Sequence, residues 1–422
     1  MTVSSERFQL AAADYALLGV DVEAALNALA GIPISIHCWQ GDDVIGFDGA
    51  GAVSGGIQAT GNYPGRARNF TQLKQDIETA LRLIPGQHRL NLHASYAVFE
   101  PGPKVDRDQL NPEHFQPWID FAKENGLGLD FNPTLFGHPL AEAATLSSED
   151  EAIRQFWIRH CQACIKFAEA FADQLEDTSL VNIWIPDGLK DIPADRTSPR
   201  ARLKASLDQI LTLDYDRSKV KIAVESKVFG IGIESYTVGS HEFYMNYAAR
   251  NQLLCLLDSG HYHPTEMISD KISSMLLFSD ELALHISRPV RWDSDHVVLY
   301  DDETRQIAQE IIRSDVRRVR IATDYFDASI NRIAAWVIGV RSVQKALLNA
   351  LLTPQATLAE LQRQRRFTEL MALQEQLKMA SLGAVWDVFC QRQGVPGESE
   401  WLKEVQDYEC RVLVKREKEE QA

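Results

Sequence analysis

Short runs of apolar and β-branched residues alternate along the chain with longer stretches whose apolar positions recur every three or four residues. The short runs stand at 34–39 (ISIHCW), 89–96 (RLNLHASY), 128–132 (GLDFN) and 181–186 (VNIWIP). They continue at 221–226 (KIAVES), 253–258 (LLCLLD), 282–287 (LALHIS) and 319–324 (VRIATD). Between them lie helical patterns such as those at 73–84, 117–124, 149–174 and 203–213. Strands alternating with helices predict parallel βαβ units, since parallel neighbours need a long crossover. Eight such units predict an α/β fold of one kind, a closed (β/α)8 TIM barrel rather than an open sheet.

Helical patterns also flank the barrel. One covers roughly 8–29, and another runs from about 327 to 416, with Asp327 as its expected N-cap. The expected division is therefore an N-terminal helical segment (1–33), the barrel as catalytic domain (34–334) and a C-terminal helical extension (335–422). The extension is expected to pack on the barrel or on a neighbouring subunit. No Ser/Gly-rich linker separates these parts. Glycine-rich stretches at 46–65 and 230–232 follow the first and fifth runs. The former does not open directly onto a helix, as a phosphate-binding fingerprint would, and reads as a mobile loop over the barrel mouth.

Composition narrows the function. Hydrophobic residues make up 45% of the 422, ample for a packed core. A net charge of −16 with no basic stripe excludes a nucleic-acid partner. No run approaches the ~20 apolar residues of a membrane span, so no membrane association is expected. The opening MTVSSER lacks the basic and apolar regions of a signal peptide, so a cytoplasmic protein is expected. Cys161 and Cys164 have redox or zinc spacing, but they fall on a helical pattern with Phe156, Ile158 and Ile165. No second pair accompanies them, and buried helix positions are expected.

The chemistry gathers at the strand ends, which share one face in a parallel barrel. Glu225 and Asp258 come late in the fifth and sixth runs, His285 late in the seventh, and Asp324 ends the eighth. Three carboxylates and an imidazole suit Mn²⁺, Mg²⁺ or Co²⁺ better than a thiolate-loving metal. A carboxylate buried where Glu225 lies needs a partner. His261, Asp293 and Asp295 follow closely and are candidates for a second cation. Without cations such crowded carboxylates repel one another. Asp270 and Asp301 read as helix N-caps, and His263 and His296 as hydrogen-bonding residues rather than ligands.

Seven motifs carry a resemblance. HCWQGDD (37–43), GGIQATGNYPG (55–65), RLNLHA (89–94), NIWIPDG (182–188), ESK (225–227), ESYTVG (234–239) and SRPVRWDSDH (287–296) resemble the L-rhamnose isomerase family, from about residue 15 to the C-terminus. The resemblance implies conversion of L-rhamnose to L-rhamnulose, opening rhamnose catabolism in a homotetramer. It implies two divalent cations per subunit, usually Mn²⁺, with Co²⁺ or Mg²⁺ as substitutes. Glu225, Asp258, His285 and Asp324 would hold one, and His261, Asp293 and Asp295 the second, catalytic one.

Isomerisation moves hydrogen between C2 and C1, as hydride in the resembled class, and a proton between their oxygens. Asp324 is expected to orient a water that shuttles protons. Lys227 follows Glu225 by two and faces the same side. It either holds a substrate oxygen or pairs with a ligand carboxylate. His93 is expected to hold the sugar or assist ring opening, and Trp39, Trp184 and Phe131 to form flat walls. The alternatives are an isomerase for another sugar, a metal-dependent hydrolase and a non-catalytic sugar-binding protein.

Overall fold

The computed structural model describes residues 3–49, 59–99, 102–228, 230, 232–263, 265–291 and 294–421. Eight strands form the barrel: β1 (Ile34–His37), β2 (His88–His93), β3 (Gly128–Asn132), β4 (Ser179–Ile183), β5 (Val220–Glu225), β6 (Leu254–Asp258), β7 (Leu282–Ile286) and β8 (Val319–Thr323). They pair in parallel around the closed order β1-β8-β7-β6-β5-β4-β3-β2. Closure falls on β1, where Ile34 pairs with His88 on one side and Ile321 on the other.

All eight predicted runs are strands, and several overrun the ladder at their C-terminal ends. Residues 38–39 and 94–96 belong to 3-10 turns instead. The apolar pattern continues there because Trp39 and Tyr96 remain buried beneath the loops.

Two helices precede the barrel, α1 (Val3–Leu17) and α2 (Val22–Ala30). The single helical stretch expected there is broken at Gly19, whose φ is +76°, and restarted by Asp21, whose carboxylate accepts from Ala24 N. Each strand is then followed by one helix of the outer ring: α3 (Phe70–Leu81), α4 (Gln116–Asn125), α5 (Glu151–Leu175), α6 (Thr197–Ile210), α7 (His241–Asn251), α8 (Ile268–Met275), α9 (Asp302–Arg313) and α10 (Arg332–Leu351). Cys161 and Cys164 lie on the inner face of α5, fully buried as expected. The boundary expected between 334 and 335 falls inside α10, which packs against α2, α3 and α9.

Two of the expected caps are elsewhere. Asn331, not Asp327, caps α10, its Oδ1 accepting from Ile333 N and Ala334 N. Asp327 instead closes a local turn through Ser329 N and Oγ, while its backbone pairs with Thr60. Asp301 caps α9 through Thr304 N as expected, but Asp270 lies within the first turn of α8. There the carboxylate of Glu303, from α9, accepts from Ile268 N and Ser269 N and does the capping.

The extension continues as α11 (Gln355–Arg363), α12 (Phe367–Leu377), α13 (Leu382–Arg392), α14 (Trp401–Tyr408) and α15 (Val414–Gln421). It wraps the barrel: α13 packs on α1 and α10, and the last turns return to the loop after β1. Buried Arg416 pairs with buried Asp76 of α3 at 2.7 Å and donates to Gly65 O, while Tyr408 donates to Asp76. Gly65 has a φ of +84°, and a Cβ there would stand 2.5 Å from that of Leu413, so only glycine fits. Nine of the expected loop residues, 50–58, lie outside the described residues. Among the described residues no helix is long and apolar enough to cross a membrane.

Removing one partner of a buried ion pair strands the other charge. Asp76→Asn should therefore cost about 3–5 kcal/mol in denaturant unfolding. Glu375→Gln, which breaks the exposed pair with Lys378, should cost less than ~1 kcal/mol. Equal effects would mean that the Asp76–Arg416 pair does not hold the chain end.

Candidate metal centre and active site

Barrel register brings four side chains together. Glu225 and Asp258 are the last residues of β5 and β6, His285 is the last but one of β7, and Asp324 is the first beyond β8. His285 lies directly across from Asp258 in the β6–β7 pairing. Its Nδ1 is 3.6 Å from Glu225 Oε2, 3.7 Å from Asp258 Oδ2 and 3.4 Å from Asp324 Oδ2. Those separations are long for hydrogen bonds. They suit donor atoms that share one cation at about 2.0–2.6 Å each.

The outer oxygens are held by the protein. Asp258 Oδ1 accepts from Gly260 N and Ser287 Oγ, and Asp324 Oδ1 accepts from Trp39 Nε1 at 2.9 Å. By contrast, Asp258 Oδ2 and both ring nitrogens of His285 are buried without a hydrogen-bond partner. Buried polar atoms left so are uncommon, and of these Asp258 Oδ2 and His285 Nδ1 lie 3.7 Å apart at the common centre. Four oxygen and nitrogen donors with these atoms free fit a hard divalent cation.

The electrostatics agree. Burial pushes the Asp258 carboxyl up to about 7, countered by His261 and reinforced by Glu225 and Asp324. Burial also opposes ionisation of Glu225, but His285 and His261 hold its carboxyl well below the ordinary range. Asp324, half-buried, is likewise desolvated but held low by its contact with His285. His285, although desolvated, is raised well above the usual imidazole value by Glu225 and Asp324. A proton there supplies part of the positive charge that the carboxylates require.

A second group adjoins the first. Asp258, His261 and Asp295 offer ligand atoms that all lie within 4.8 Å of one another, so Asp258 belongs to both groups. That sharing was not read from the sequence. His261 Nδ1 donates to Ser226 O at 2.9 Å, which leaves Nε2 as the acceptor, 3.1 Å from Lys227 Nζ. Asp293 lies outside the described residues. His263 bonds Thr265 Oγ1 in a turn, as a hydrogen-bonding residue should.

One wall of the mouth is a row of rings. Trp39 meets His93 edge-on at 4.8 Å, His93 meets Phe136 at 5.4 Å, and Phe136 stacks on Trp184 at 5.5 Å. Lys227 Nζ stands 5.6 Å from the Trp184 ring centre. Burial pushes the His93 imidazole down to about 3, so it is neutral at physiological pH.

Phe131 is not in this row, contrary to expectation. Its neighbours Asp130 and Asn132 face inward, so Phe131 faces the helices, where it packs against Phe115, Phe167 and Phe171. Phe136 takes the place expected of it. That residue sits in a loop without periodicity, held by Arg107, which donates to the carbonyls of Thr134 and Phe136. Asn182 was also missed, although it shares the inward parity of Trp184 and donates to Glu225.

A parallel barrel that gathers three carboxylates and an imidazole at its strand ends, beside flat rings and a neutral histidine, defines a metal-dependent enzyme for a small polar substrate. The family model for L-rhamnose isomerase (RhaA) matches residues 1–416. The L-rhamnose isomerase of Escherichia coli O139:H28 (strain E24377A / ETEC) is 56% identical over 420 residues, covering 99% of this chain and 100% of its own length. That of Shigella flexneri serotype 5b (strain 8401) is 55% identical with the same coverage. The chain belongs to the L-rhamnose isomerase family. It is thus an aldose–ketose isomerase, an intramolecular oxidoreductase that opens L-rhamnose catabolism.

Because His285 and Asp258 both have raised proton affinity without metal, a cation must displace protons to bind. Affinity for Mn²⁺ should therefore rise with pH, by about tenfold per unit for each proton displaced, with the Asp258 contribution levelling off above about 7 and that of His285 continuing beyond it. Calorimetric titrations in buffers of different ionisation enthalpy would count those protons. An affinity independent of pH would exclude this ligand set.

Proposed function

We propose that the site converts L-rhamnose to L-rhamnulose by a metal-assisted hydride shift between C2 and C1. Two cations serve each subunit, Mn²⁺ by preference, with Co²⁺ or Mg²⁺ as substitutes. Glu225, Asp258, His285 and Asp324 hold one of them, and His261, Asp295 and Asp293 the other. Bound there, they would supply Lewis-acid polarisation of the sugar carbonyl and neutralise charge developing on its oxygens. The observation that carries this reading is the set of donor atoms spaced 3.4–3.7 Å around His285 Nδ1, with Asp258 Oδ2 left unpartnered.

The remaining side chains have separable tasks. The Asp324 side chain is 18% exposed whereas the other three ligands are at most 1% exposed, which suits it to orient the water that carries a proton between the sugar oxygens. Lys227 donates to a substrate oxygen and steadies negative charge on it. His93 is neutral, and its Nδ1 lies 3.3 Å from the Thr134 hydroxyl. A hydroxyl donating there leaves the proton on Nε2, able to donate to the sugar during ring opening. Trp39, Trp184 and Phe136 give the apolar faces against which the sugar ring and its methyl group lie.

A homotetramer in the cytoplasm completes the proposal. Exposed Phe367 and Met371 on α12, a helix with no buried residue, support contact with another subunit. Six cysteines without a disulfide suit a reducing compartment.

Stripping the protein with chelator and restoring Mn²⁺ should return ketose formation, faster from L-rhamnose than from xylose, arabinose or mannose. His261→Ala should lower turnover by about a thousandfold with the fold intact by circular dichroism. Activity that survives chelation, or full activity in His261→Ala, would refute the assignment.

A further inference from the structure

Beneath the metal centre a row of buried amides crosses the barrel interior. Asn91 lies on β2, Asn132 on β3 and Asn182 on β4, and the row ends at Glu225 on β5. Asn132 Nδ2 donates to Asn91 Oδ1 at 2.7 Å and to Leu92 O at 3.1 Å. Asn182 Nδ2 donates to Asn132 Oδ1 at 3.2 Å and to Glu225 Oε2.

The row has a direction. Leu92 O is a main-chain carbonyl and can only accept, so it determines which end of the Asn132 amide carries the NH2 group. Asn132 Oδ1 is then an acceptor, which in turn orients Asn182. Reversed, Asn182 would set its carbonyl against two other oxygens. In the orientation observed, its Oδ1 is buried with no hydrogen-bond partner among the described residues. Native interiors rarely leave such an atom, and here it accompanies an N–H aimed at a carboxylate.

Asn182 gives Glu225 a fixed donor, as Ser287 and Gly260 give Asp258 and Trp39 gives Asp324, but it meets Oε2, the oxygen that faces His285, whereas theirs meet the outer Oδ1 atoms. The other close groups on Glu225 are His261, 3.1 Å from Oε1, and His285, 3.6 Å from Oε2. Both are themselves candidate ligands. Among the described residues, therefore, Asn182 is the hydrogen-bond donor to Glu225 that lies outside the ligand set.

We propose that Asn182, oriented through Asn132 by the Leu92 carbonyl, is a positioning residue that fixes the Glu225 carboxylate and thereby sets the affinity of the four-ligand cation site. This rests on the reading of Glu225 as a cation ligand. Outer partners of metal ligands typically govern affinity by ten- to a hundredfold, roughly the scale expected here.

The test titrates the chelator-stripped, full-length protein with Mn²⁺ alone, by calorimetry and by electron paramagnetic resonance of the bound ion. Glu225→Gln identifies the binding event that reports on this site. In Asn182→Leu that event should weaken by about ten- to a hundredfold, and the bound-ion spectrum should change. Asn132→Leu should weaken it by about three- to tenfold, since Asn182 then keeps its donor but loses its orientation. Asn91→Leu should stay within about twofold of the native chain, because Leu92 O alone orients Asn132.

A role confined to packing would lower metal-free melting in all three variants without changing affinity or spectrum. Native Mn²⁺ affinity in Asn182→Leu would overturn the proposal. Asn182→Ala gives the same reading if the leucine variant does not fold. If Glu225→Gln leaves every Mn²⁺ event unchanged, the metal reading fails and the proposal falls with it.

Discussion

Three carboxylates packed around one imidazole in the interior of a barrel are the constraint on which the rest of the structure depends. Isolated charges of one sign in so little space would be protonated or pulled apart. Glu225, Asp258 and Asp324 stay together because eight strand pairings, closed on themselves, leave their main chains no room to separate. Outer oxygens anchored to Ser287, Gly260 and Trp39 turn the inner ones of Asp258 and Asp324 toward a shared point, while Asn182 holds Glu225 at the oxygen that faces His285. The strain of like charge becomes affinity for a dication.

The ring wall depends on a different kind of anchoring. Arg107 is buried, yet its guanidinium has partners on two sides: Asp48 beyond β1, and the carbonyls of Thr134 and Phe136 beyond β3. One cation thus sets the distance between two loops at the mouth. The wall from Trp39 to Trp184 passes through Phe136, so main-chain hydrogen bonds govern the shape that a sugar meets. Such placement is more rigid than a loop held by apolar contact alone.

Much of the fold was legible because buried parallel strands read as dense apolar runs, while helices beside them keep one polar face. The ligands were legible for the same reason. An ionisable residue at the end of such a run has no bland explanation when four chain-distant runs do the same. Phe131 was misplaced by attending to its type instead of its parity, although polar Asp130 and Asn132 on either side already assigned the inward face. Phe136 had no periodic signal at all. The sharing of Asp258 between two ligand groups depends on where His261 and Asp295 turn after leaving the sheet, which strand patterns do not encode. Asp327 had every chemical qualification for a cap, but a nearer partner, Ser329, was available to its carboxylate.

The contact between Arg416 and Asp76 joins residues 340 apart, and the closing pair of the barrel joins Ile34 to Ile321. A ribosome delivers these partners at opposite ends of its work. One edge of the first strand can pair with β2 early, but its other edge must wait for β8, and the loop behind it for the chain end. The face that binds substrate is therefore among the last parts to settle, and a chain cut short near its end has its eight strands but not the clasp that holds the mouth.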